Sequence, residues 1–125
     1  MCGDSTPAWR NLGGCVSFES HFRHVRDAFD SCDVASGASR KQWPLQKGFD
    51  RFYGFLGGET NQWYPDLIED NRFIEPPYSP EQGYHFSKDL ADQAIAMIRD
   101  QQATNPSRPW YMWYNPGANH APHHA

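Results

Sequence analysis

A chain of 125 residues with a formal net charge of −4 and 38% hydrophobic content has room for one domain and only a lean core. No basic stripe is available to neutralise phosphates, which excludes nucleic acid as the expected partner. No apolar run reaches the roughly 18 residues of a membrane span, and the N-terminus lacks the charged-then-apolar order of a secretory leader. Three cysteines, Cys2, Cys15 and Cys32, are odd in number and form no C-x-x-C pair. Reduced thiols, and with them a cytoplasmic location, are the expectation. Ten glycines and ten prolines predict long irregular connections, and 15% aromatics without matching aliphatics suggest part of a larger fold.

Residues 1–41 hold all the cysteines and balance their charges, so the net −4 resides in residues 42–125 and a boundary falls near Gln42. Within the first part, Phe18, Phe22, Val25 and Phe29 recur at four-three-four spacing, which predicts an amphipathic helix. His21 and His24 fall at i and i+3 on it, a spacing that can seat two metal ligands but that solvent-facing histidines share. The rest of residues 1–41 is expected to be poorly ordered, with a small polar linker from Ser36 to Lys41. Phe49 to Leu56 then reads as a short strand among glycines suited to turns. Asp66, Glu69 and Asp70 supply oxygen donors of the kind calcium takes, yet the calcium-loop pattern is missing and a solvated loop is the simpler reading.

Pro76, Pro77 and Pro80 keep residues 71–82 extended. Ser87 offers an N-cap, and Leu90, Ala91, Ala94, Ile95, Met97 and Ile98 form a broad apolar stripe, so a helix is predicted from Ser87 to about Gln102. Asn105-Pro106 stops it. Trp110 to Tyr114 is a continuous large-residue run bounded by Pro109 and Asn115-Pro116-Gly117, which predicts a buried strand. A helix leading into such a strand is the step that builds parallel sheets, and the loop after the strand is where site chemistry gathers in α/β folds. That loop presents His120.

Three blocks, GFDRFYGFLGGETNQWYPDL, EQGYHFSKDLADQAI, and the aromatic strand followed by PGANHAPHHA, together resemble a central segment of bacterial arylsulfatases over Trp43 to Ala125. The resemblance implies a metal-assisted hydrolase of the alkaline-phosphatase superfamily, of α/β class, with a mixed sheet flanked by helices. It implies a calcium ion beside a formylglycine made from the Cys or Ser of a C/S-x-P-x-R motif, acting on a sulfate-ester substrate. His120-Ala121-Pro122 matches the family's H-x-P motif, whose histidine helps hold the sulfate and assists the departing alcohol. An imidazole suits that role because it can donate a hydrogen bond to a developing negative oxygen or deliver a proton.

Two departures from the family pattern stand out: residues 1–41 contain neither the paired aspartates, nor the nucleophile motif, nor the G-K-W-H block, and the sequence stops at Ala125 before the second pair of metal ligands and the later active-site lysine that the resemblance implies. Ser5-Thr6-Pro7-Ala8-Trp9-Arg10 approaches the nucleophile motif with its arginine one place late. The expectation is therefore a partial sulfatase domain in residues 42–125, behind a divergent segment 1–41. It would be inactive as an isolated chain, lack calcium ligands of its own, and self-associate through uncovered apolar surface. The alternative is a small metal-binding protein using His120, His123 and His124 with His21 and His24, since imidazole suits zinc, nickel or copper.

Overall fold

Among the described residues five short strands carry the fold: β1 (Cys15–Glu19), β2 (Arg51–Gly54), β3 (Leu67–Glu69), β4 (Arg72–Ile74) and β5 (Tyr111–Asn115). A computed structural model describes residues 15–19, 40, 43–57 and 59–123. The strands form one sheet in the order β4-β3-β2-β1-β5, and every pairing is antiparallel. Among the described residues one α-helix, α1 (Phe86–Thr104), packs on the sheet, so the architecture is α/β, as expected. Among the described residues no helix is long and apolar enough to cross a membrane.

Period-two alternation in β2 sends its neighbours to opposite faces. Tyr53 joins Phe55, Leu67, Tyr84, Phe86, Leu90, Ala94 and Met97 on the face covered by α1, whereas Phe52 joins Trp43, Leu56 and Ile68 on the other. Trp43 sits just before a 3-10 turn at Pro44–Lys47 and meets Phe73 edge-on at 6.0 Å. Gly48 at φ 109° closes that turn, and Gly83 at φ 90° closes a second turn at Pro80–Gln82; both lie where side chains are rarely tolerated. Asp70, at φ 55°, makes the tight β3–β4 reversal.

Helix α1 buries Phe86, Leu90, Ala94 and Met97, which follow one another at four-four-three spacing and so lie on one face. Ile95 is exposed, so the stripe is narrower than the sequence suggested. The N-cap is His85, not Ser87: the His85 Nδ1 accepts the Ser87 N–H at 3.3 Å. Asn105 ends the helix by donating its N–H to the Gln101 carbonyl. Pro106 follows.

Three expectations are corrected here. Phe18 stands in a strand, not a helix: the backbone of Cys15–Glu19 pairs with β2 on one side and β5 on the other, which satisfies its polar groups without a helix. Residues 20–29 of the expected helix lie outside the described residues. The helix-to-strand step from α1 to β5 does not make a parallel pair, because β5 runs antiparallel to β1. Nor is β5 buried. It is the last strand of the order, and Trp110, Tyr111 and Tyr114 are exposed. Met112 reaches the α1 cluster, and Trp113 lies 6.4 Å from Phe49 on the opposite face. The boundary near Gln42 falls between β1 and β2, which are neighbours in the sheet.

Candidate active site

The chain leaves β5 at Asn115 and turns back on itself, with the His120 N–H donating to the Gly117 carbonyl at 3.0 Å. The His120 Nδ1 lies 2.6 Å from the Ala121 carbonyl. A carbonyl can only accept, so Nδ1 carries the proton and the neutral ring presents the Nε2 lone pair. The same reasoning at His123 gives an Nε2–H donating to the Asn119 carbonyl at 3.2 Å. Glu59, from the loop after β2, brings Oε2 to 3.4 Å from His120 Nδ1.

That loop is fastened at several points. Thr60 Oγ1 accepts the Asp66 N–H at 3.1 Å, and Asn61 Oδ1 accepts from the Trp63 and Tyr64 N–H groups. Gln62 is buried, its carbonyl accepting the Phe86 N–H at 2.8 Å and its Oε1 accepting from the Ser87 hydroxyl at 3.3 Å. Trp63 meets the His85 ring edge-on at 4.7 Å. The three blocks recognised in the sequence thus meet: the first binds the start of α1 in the second, and reaches the histidine loop of the third.

Beneath this, Asp89 is buried and its Oδ2 accepts from two phenols, Tyr53 at 2.6 Å and Tyr84 at 3.0 Å. Burial, reinforced by the Asp89 carboxylate, pushes both hydroxyls far above the ordinary tyrosine value of 10.0, so both stay protonated. In the sequence Asp89 reads as a first-turn residue that favours the helix dipole. It does occupy that turn, yet its position three residues after Phe86 also faces it inward.

The acidic trio does not fit calcium. Glu69 is paired with Arg72 at 2.6 Å, and Asp70 accepts the Phe52 N–H at 3.0 Å with Arg51 at 3.7 Å. A calcium cage needs six to eight oxygens, and among the described residues no group of three or more His, Cys, Asp or Glu is placed to hold any metal. His120 and His123 belong to no such group, so the metal-binding alternative finds no support among the described residues. His21, His24, His124 and Ser5 lie outside them. Glu59 was missed in the sequence, because a carboxylate 61 positions before a histidine leaves no local signal.

A family model described as Sulfatase matches residues 26–125. No curated protein and no solved structure matches significantly. The match covers most of the chain and begins inside the segment that the three blocks leave out. This chain belongs to the sulfatase family.

Proposed function

We propose that the chain is part of a sulfate-ester hydrolase of the bacterial arylsulfatase type, and that His120 serves the departing alcohol. The observation that carries this reading is the convergence of the three blocks: Gln62 fastens the glycine-rich loop to α1, and Glu59 of that loop meets His120 after β5. With Nδ1–H held by the Ala121 carbonyl, the proton that can move is the one on Nε2. When the ring is protonated, Nε2–H donates to the ester oxygen as its bond to sulfur breaks, and the ring is left neutral with Nδ1–H in place. Such assistance is worth about 10²- to 10⁴-fold in rate.

The formylglycine nucleophile and the calcium ion that the resemblance implies have no residues among those described, and no step is assigned to them. His120 supports a reaction that those groups establish, so the 125 residues alone are expected to be inert. The test is a chain completed with the family's segments that carry the nucleophile motif, the paired aspartates, the second pair of metal ligands and the later active-site lysine, assayed on an aryl sulfate. The completed chain should turn over, and His120→Ala should lower kcat by about 10²- to 10⁴-fold. A His120→Ala variant that keeps its activity within a few-fold would overturn the assignment.

A further inference from the structure

We propose that Glu59 is the positioning residue for His120, an inference that rests on the reading of His120 given above. Two oxygens lie near Nδ1: the Ala121 carbonyl, hydrogen-bonded at 2.6 Å, and Glu59 Oε2, at an ion-pair distance of 3.4 Å. They do different things. Ala121 is the next residue in the chain, so its carbonyl travels with the histidine and cannot fix the ring relative to the sheet. Glu59 belongs to the loop that Gln62 ties to the start of α1 and that the Thr60 hydroxyl closes onto Asp66. It therefore joins the histidine loop to a loop that is hydrogen-bonded to α1 and to Asp66.

The carboxylate accepts and cannot donate, so it favours Nδ1–H over the other tautomer and keeps Nε2 as the working nitrogen. It also supplies a countercharge when the ring is protonated. Both side chains are more than half exposed, at 58% and 53%, so solvent screening limits the effect. An exposed pair of this kind is expected to change an equilibrium by about two- to five-fold.

The experiment uses the 125-residue chain with ¹⁵N-labelled histidine, and reads the Nδ1–H to Nε2–H ratio of neutral His120 from its ring nitrogen shifts. His120→Ala assigns the signals. Glu59→Ala should lower the ratio by about two- to five-fold, and Glu59→Gln, whose amide oxygen still accepts, should restore most of it. An unchanged ratio in Glu59→Ala would overturn the proposal, as would a Glu59→Gln variant no better than Glu59→Ala. The ratio is read without substrate or turnover, so it holds or fails independently of whether His120 serves a sulfate ester. That question belongs to the completed chain, where Glu59→Ala should lower kcat by the same two- to five-fold with KM unchanged.

Discussion

Raising the pH above about 10 should destabilise the fold through Tyr53 and Tyr84. Both phenols are buried, at 2% and 0% exposure, and both donate to Asp89 Oδ2. Each hydroxyl is held above its ordinary value of 10.0 in the folded chain and returns to it on unfolding. The folded state therefore keeps protons that the unfolded state gives up. The stability they contribute is fully present below the unfolded value and is lost as pH rises through it toward the folded one. By about pH 11 each tyrosine has removed about 1.4 kcal/mol, and the pair about 3 kcal/mol. Urea unfolding at a series of pH values measures this, with Tyr53→Phe and Tyr84→Phe as controls because other lysines and tyrosines also titrate. Each variant should lose about 1.5 to 3 kcal/mol at neutral pH, the worth of a hydrogen bond to a charged acceptor, and should lose less than the parent on going to pH 11. Equal alkaline losses in the parent and both variants would refute the reasoning, as would tyrosinate absorbance from Tyr53 and Tyr84 in the still-folded chain.

Asp70→Asn should be nearly neutral, because asparagine tolerates φ 55° and its amide oxygen can still accept the Phe52 N–H; Asp70→Ala loses both and should cost about 1 to 3 kcal/mol by urea unfolding. Equal costs for the two variants would show that neither the backbone angle nor the bond matters there. Among the described residues β5 pairs with β1 alone, and Trp110, Tyr111 and Tyr114 are exposed on or beside it, so the chain should associate as its concentration rises. Tyr111→Lys should lower that tendency in sedimentation; a parent that stays monomeric throughout would count against it.

Helix α1 was legible because a single stripe, Leu90, Ala94 and Met97, dominates its sequence and Pro106 ends it. Its true N-cap was not, since the ring nitrogen of His85 does the work usually left to a hydroxyl or carboxylate. The strand after Pro109 is legible in place, but its exposure is not: large residues state how much surface an element offers, not how many neighbours arrive to cover it. Phe18 shows the converse, a residue whose helical spacing is overruled by two strands distant in sequence. His120 could be singled out from its loop and motif. Its surroundings could not, because Glu59 reaches it by folding and not by spacing.

The most direct test of the central claim is aryl-sulfate turnover by the purified 125-residue chain with added calcium, beside a His120→Ala control. On the proposed reading the histidine would only assist a reaction that a nucleophile and a metal ion establish, and whole enzymes accelerate by about 10⁶- to 10¹⁷-fold where such assistance supplies at most about 10⁴. Both proteins are predicted to be indistinguishable from buffer. Turnover by the parent that His120→Ala abolishes would contradict this, and would mean that the chain holds a nucleophile of its own, with Ser5 and Cys15 the first residues to replace.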